Sequence, residues 1–266
     1  NGSSVATVLA MGTLVVPEMV DRGYKRSFAL GLTAAAGTLG ILIPPSMPLV
    51  VYGLLSEVSI PRLFLAGVVP GALQIFLFSI VIMTLAAREG GQSAPFPGWR
   101  NLAEANIKAL PALAVPLVVL GGIYGGFVTV TEAAALSAAV ALLVSLFVYR
   151  SLRPSAIPDI LVQGVSRTAA ILLIIAGADL LADWLTRAGL ATHLAQMVTA
   201  MELTGTQFLI VMAAILLVLG TVLEGYAIIL ITLPLTLPIL DVLGIDRVHF
   251  GAFVFVAAIT GRTEVF

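Results

Sequence analysis

"GTLGILIPPSMPLVVYG", residues 37–53, decides the fold. It sits in an apolar run, 27–56, that is long enough to enter a membrane, since a spanning helix needs about 20 apolar residues. Yet it holds three glycines, three prolines and a serine. Proline removes a backbone donor and clashes with the preceding turn. In lipid no water is at hand for the groups so released, and the break survives only where protein, an ion or a wet cavity satisfies them. The stretch therefore reads as an unwound crossing point whose carbonyls face inward.

The surrounding chain supports a lipid solvent. Of 266 residues, 60% are hydrophobic and 10% are charged, with mean hydropathy +1.12. Soluble domains carry roughly 25% charged residues. The expected fold class is an all-α polytopic membrane protein. A net charge of −1 excludes an electrostatic nucleic-acid binder. With no cysteine there are no disulfides, thiolate metal sites or cysteine nucleophiles. His193 and His249 lie far apart, and no HExxH spacing occurs. The chain opens on Asn1 and reads as a fragment of a longer protein, with its targeting information elsewhere.

Apolar segments run over 3–20, 27–56, 63–87, 107–126, 131–149, 160–185, 205–223, 226–243 and 248–261. Between the seventh and eighth lies "LEGY". Residues 88–106 are Gly/Pro-rich and then helix-like, with Trp99 as a loop or interface anchor. Glu132 follows Thr131 at a helix start, where it serves as a capping acid or takes part in transport. Asp179 and Asp183 share one helix face, and Arg187 follows Asp183 at salt-bridge spacing.

The two ends of the chain share an order of punctuation. Gly2, Pro17, the loop Gly23-Tyr24, Phe28 and Gly40 are answered by Gly225, Pro234, the loop Gly244-Ile245, Phe250 and Gly261. The loop "DRGYKR", 21–26, has one acid and three bases, whereas "DVLGIDR", 241–247, has two acids and one base. The positive-inside bias puts the first in the cytoplasm and the second outside. Interrupted segments in two oppositely oriented halves point to a transporter's binding site.

Five motifs carry a family resemblance: "GSSVATVLAMGTLVVPEM", "RGYKRSFALGLTAAAGTLGILIPPSMPLVVYG", "SIPRLFLAGVVPGAL", "GGIYGGFVTVTEAAA" and "GIDRVHFG". Together they resemble the large membrane subunit of the tripartite ATP-independent periplasmic (TRAP) transporters, over about residues 1–261. The resemblance implies an elevator-type fold with inverted repeats, re-entrant helical hairpins and unwound helices. It implies a Na⁺-driven importer of C4-dicarboxylates, sugar acids or similar carboxylates in the bacterial inner membrane. It also implies a small membrane subunit, separate or fused, a periplasmic substrate-binding protein, no enzyme chemistry, and no cofactor beyond Na⁺ as coupling ion. Residues 1–19 would be the tip and second arm of the first hairpin. Residues 205–243 would be the second, with its tip near Leu223–Ala227. The expected division is 1–57 for transport, 58–162 for scaffold helices and connecting arm, and 163–266 for the second transport part.

By the same resemblance, Ser3, Ser4, Pro45, Ser46 and Gly225 are candidates for substrate binding. Ser4, Gly37, Thr38, Gly40, Glu224, Thr260 and Gly261 are candidates for Na⁺. Each has a plainer reading: helix caps for the serines, a proline kink for 37–46, and a packing acid for Glu224, whose burial would cost about 2.5–3.5 kcal/mol without a partner. The chain departs from the family pattern at three places. Asn1 stands where a serine is usual. Glu224-Gly225-Tyr226 stands where Asp-Gly and a small residue are usual. "GRTEVF" follows where a Thr-Pro-Pro break is usual, so the second unwound site is expected to be missing or scrambled. Another divalent-anion symporter would carry Ser-Asn-Thr tips, which are absent. An intramembrane hydrolase would need a Ser/His, HExxH or facing-Asp arrangement. An inactive fragment is the third alternative.

Overall fold

The computed structural model describes residues 4–89, 96–223 and 225–263, and everything described is helix or connection, without a strand. Eleven helices occur among these residues: α1 Ser4–Asp21, α2 Arg26–Gly37, α3 Met47–Leu55, α4 Ile60–Glu89, α5 Trp99–Tyr124, α6 Val130–Leu143, α7 Ile157–Arg187, α8 Leu190–Ala200, α9 Gly205–Val222, α10 Gly225–Leu243 and α11 Arg247–Thr263. A 3₁₀ turn, Thr38–Ile41, extends α2, and a π-turn, Val144–Val148, extends α6. Among the described residues, six segments are long and apolar enough to cross a bilayer. The expected all-α polytopic class holds.

The chain forms two compact units. One joins Asn1–Ser93 with Ala178–Phe266, and the other is Ala94–Gly177. In the second unit α5 pairs with α6. Glu132 closes a capping box there: its Oε2 accepts from the Thr129 N–H at 2.7 Å, and the Thr129 Oγ1 accepts from the Glu132 N–H at 3.3 Å. Pro111 opens a turn of α5, and the Tyr149 hydroxyl enters the gap. It donates to the Lys108 carbonyl at 2.8 Å and accepts from the Ala112 N–H at 3.2 Å. A side chain inserted in the ladder is a recognised way for a helix to absorb such a break.

In the first unit α4 runs back along the whole of the broken segment. A Cβ on Gly53 would meet Ile60 and Leu63, while Gly67 faces the Leu42 carbonyl and Gly71 faces Ile43. Further along, Phe78 to Leu85 of α4 share a groove with Ser27 to Ala36 of α2. So α2, the 3₁₀ turn and α3 make one crossing in a single direction. Laid end to end they measure about 40 Å, enough for a hydrocarbon core of about 30 Å.

The repeat seen in the sequence recurs as local geometry. Gly23 and Gly244 both adopt positive φ, +89° and +66°. In each case the next N–H reaches back five positions: Tyr24 to the Met19 carbonyl at 3.1 Å, Ile245 to the Leu240 carbonyl at 2.9 Å. This is the αL glycine ending of a helix, used twice.

α9 and α11 cross with their backbones in contact. A Cβ on Gly220 would lie 2.5 Å from the Ala258 carbonyl oxygen, and one on Gly261 would run into the Leu217 carbonyl. Small residues let membrane helices approach this closely. Gly220→Val is expected to lower the thermal unfolding midpoint of the detergent-purified protein, at a cost of about 1–3 kcal/mol from overpacking. Gly121→Ala, where no atom lies within 4 Å of the added methyl, serves as the neutral control; equal midpoints for the two would contradict the crossing.

Candidate functional site

The break is where the structure concentrates exposed backbone. Helix ends at Ile41, residues 42–46 are non-helical with a cis peptide at Pro44–Pro45, and α3 begins at Met47. No described residue donates a hydrogen bond to the carbonyls of Gly40, Ile43, Pro44 or Pro45. The Leu42 carbonyl is turned toward Gly67 of α4. Two side chains stitch the margins. The Thr38 hydroxyl donates to the Ala35 carbonyl at 2.6 Å, keeping its lone pairs. The Ser46 hydroxyl donates to the Ile41 carbonyl and accepts the Leu49 N–H at 3.4 Å, as the N-cap of α3. Ser46 thus closes the gap that the prolines open, and it is 1% exposed.

Two helix starts meet this break from opposite ends of the crossing. α1 begins at Ser4, which is 4% exposed. One turn on, Val8 presses on Gly37, where a Cβ would collide with its side chain and lie 3.3 Å from its N–H nitrogen. α1 also packs on the 3₁₀ turn. Its other end, Asp21, lies at the loop that leads into α2. α10 begins at Gly225, whose Cβ position is 3.5 Å from the Ile41 side chain. Its far end carries Asp241, which pairs with Arg247, and Arg247 binds the Ser56 carbonyl beyond the end of α3. So α1 reaches the break from the α2 side and α10 reaches it from the α3 side.

The candidates therefore fall as follows. Gly37, Thr38, Gly40 and Gly225 lie in or beside the 3₁₀ turn, Ser4 lies one helical turn before the Val8 that presses on Gly37, and Pro45 and Ser46 belong to the break itself. Thr260 and Gly261 lie on α11, which also packs on the 3₁₀ turn; the Thr260 hydroxyl donates to the Val256 carbonyl at 2.8 Å. Here α11 is continuous helix through Thr263. Ser3 and Glu224 lie outside the described residues. Asp183 pairs with Arg187 at 2.9 Å on an exposed face. Asp179 lines a small recess with Leu55 and with Leu230, Pro234 and Leu237 of α10.

Two features escaped sequence reasoning. Gly67, Gly71 and Gln74 are spaced to lie on one face of α4, and the glycines of that face meet the break. The Gln74 Oε1 is buried with no hydrogen-bond partner among the described residues. A polar residue at that spacing in a span was the available signal. The other is the group around Arg247. A cavity of about 820 Å³ in the second unit is lined mainly by apolar residues such as Ala138, Leu142, Leu161 and Leu172.

Helix N-termini and opened backbone meeting at one buried level of a polytopic membrane protein is a construction that secondary transporters use. The chain belongs to the family described as "Tripartite ATP-independent periplasmic transporter, DctM component", which matches residues 1–264. It is 41% identical to the C4-dicarboxylate TRAP transporter large permease protein DctM of Pseudomonas aeruginosa, over 96% of this chain and 60% of that protein. It is 36% identical to the isethionate TRAP transporter permease protein DctMQ of Oleidesulfovibrio alaskensis, over 96% of this chain and 40% of that one. It is 34% identical to the sialic acid TRAP transporter large permease protein SiaM of Vibrio cholerae, over 98% and 61%. The chain thus spans at most about three-fifths of the length of these curated relatives. They are named as transporter permeases, not enzymes, and with the six apolar spans the family places the chain in a multi-pass inner-membrane protein.

Ser46→Ala is expected to destabilise the protein by about 1–2 kcal/mol, through loss of the cap and an unpaired Ile41 carbonyl. Denaturant unfolding in detergent reads this directly, and an unchanged midpoint would mean that the cap does not hold the break together.

Proposed function

We propose that this chain handles the ion and the substrate in a Na⁺-coupled secondary active importer of organic anions. The observation that carries the reading is the meeting of the α1 start, the α10 start and the opened backbone at one buried level. Helix N-termini carry a positive dipole end, which suits a carboxylate. Three of them, on α1, α3 and α10, surround the break. The other donors are carbonyl and hydroxyl oxygens, the ligand set with which unwound transporter helices hold Na⁺. Thr38 with its free lone pairs and the carbonyls of Gly40, Ile43, Pro44 and Pro45 fit such a cation. Gly37 and Ser4 shape the wall beside them. On the sequence argument, Glu224 adds a carboxylate, and Thr260 and Gly261 belong to a second ion position.

The reading extends to the rest of the assembly. Helix starts that enter from opposite ends are what re-entrant hairpins of inverted repeats require, and such repeats alternate access to a site near the bilayer midplane. An elevator movement would carry the site across, with residues 1–57 and 163–266 in the moving part and 58–162 in the scaffold and connecting arm. Each net positive charge entering with the substrate adds about 2.3 kcal/mol per 100 mV of membrane potential. The relatives named for C4-dicarboxylates, isethionate and sialic acid all handle acids, and a carboxylate is the expected substrate here. A small membrane subunit, separate or fused, and a periplasmic substrate-binding protein are the expected partners.

The test is uptake into proteoliposomes by the protein as its gene encodes it, with its partners, under an imposed Na⁺ gradient. Ser4→Ala and Glu224→Ala are each expected to raise the Na⁺ concentration for half-maximal uptake by about tenfold, the loss of about 1.4 kcal/mol. Normal uptake and unchanged Na⁺ dependence in both variants would refute these site assignments.

A further inference from the structure

The motif "GIDR", 244–247, takes no part in the site described above, yet it makes polar contacts with residues more than 190 positions away. Arg247 grips Asp241 with two nitrogens: Nε to Oδ1 at 3.1 Å, and Nη2 to Oδ1 at 2.9 Å and Oδ2 at 2.8 Å. Its Nη1 donates to the Ser56 carbonyl at 3.1 Å. Its own carbonyl accepts from the Tyr52 hydroxyl at 2.6 Å. The Ser56 hydroxyl in turn donates to the Tyr52 carbonyl at 2.6 Å. One residue at the start of α11 therefore both gives to and takes from the last turn of α3.

The Tyr52 ring is locked in the same corner. It is 0% exposed and stands edge-on to Phe255 at 6.3 Å. A Cβ on Gly251 would come within 2.6 Å of it, so the glycine exists to admit the ring. Ser56 is the C-cap of α3, and its carbonyl is among the helix-end groups that lack an intrahelical partner.

α3 depends on outside anchors. It has nine residues, well below the length at which a helix is stable by itself. Five non-helical residues separate it from the 3₁₀ turn, so α2 does not dictate its direction. At its far end Glu57 turns the chain with φ +56°. Ser46 ties one end of α3 to the break, and the Arg247 group ties the other. Asp241 and Arg247 are partly exposed, at 56% and 33%, and exposed pairs contribute little to stability. What they do provide is direction, because the planar guanidinium fork fixes angles that an ammonium group cannot.

We infer that Arg247 is a positioning residue: through Ser56 and Tyr52 it sets the orientation of α3, and so the placement of the break's carbonyls and their affinity for the coupling ion. The link to ion affinity rests on the function proposed above; the positioning of α3 does not.

Two readouts separate them, in the protein as its gene encodes it, for Arg247→Lys and Tyr52→Phe. Tyr52→Phe keeps the packed ring, so it stays informative if the Arg247 variant folds poorly. Hydrogen exchange of the Leu49–Tyr52 amides reports on α3 itself, and is expected to speed up about three- to tenfold in both variants, the size of one or two neutral hydrogen bonds. The Na⁺ concentration for half-maximal uptake is expected to rise by a similar factor, with the maximal rate at saturating Na⁺ held within about twofold. Unchanged exchange in both variants would overturn the inference, even in a Na⁺-driven transporter. Faster exchange with an unchanged Na⁺ requirement would overturn the link to the ion. Faster exchange in a protein whose native uptake ignores Na⁺ would uphold the positioning of α3 and count against the proposed coupling instead.

Discussion

Backbone that loses its helical partners inside a bilayer must find others within the protein, and the first unit is organised by that constraint. Residues 42–46 cannot be helical, because Pro44, Pro45 and Pro48 forbid the usual ladder. Left in lipid, the released groups would cost several kcal/mol each. The surrounding helices shield them. α4 lies along the whole crossing and bares Gly67 to admit the Leu42 carbonyl. α1 and α10 start near the break, and α11 packs on the 3₁₀ turn before it.

The carbonyls that no described residue pairs suit the role proposed for the break. A transporter must dehydrate its ion and then release it, so weak neutral oxygen ligands that can be rearranged suit the task. The same opening exposes the N-terminus of α3 beside those of α1 and α10, and an anionic group is favoured there. On the function proposed above, positive helix ends and carbonyl oxygens at one level would let cation and anion support each other, and coupling would follow from geometry.

Much of this was legible in local sequence. The Pro-Pro-Ser break, the paired helices either side of "LEGY", the Glu132 cap and the Asp183–Arg187 pair all depend on neighbours within a few residues. The loops at Gly23 and Gly244 were readable because a left-handed helix ending selects glycine. What escaped depends on partners far along the chain. The 11-residue α8 is too short to register as a span, though α10 packs on it. Gly220 looked like any membrane glycine until Ala258 lay against it, and Gly261 proved to be a crossing point against Leu217 as well as a candidate ligand. The Tyr52–Arg247 bond joins residues 195 positions apart, and no spacing rule could have paired them.

The claim that the break binds the coupling ion is most directly tested by hydrogen exchange of the reconstituted protein in Na⁺ and in K⁺ at equal ionic strength. Amides flanking the break, Ile41 to Ile43 and Ser46 to Val50, are expected to slow in Na⁺, together with the first turn of α10. Amides of α5, in the other compact unit, should not change. Equal exchange around the break in both salts would contradict the ion site.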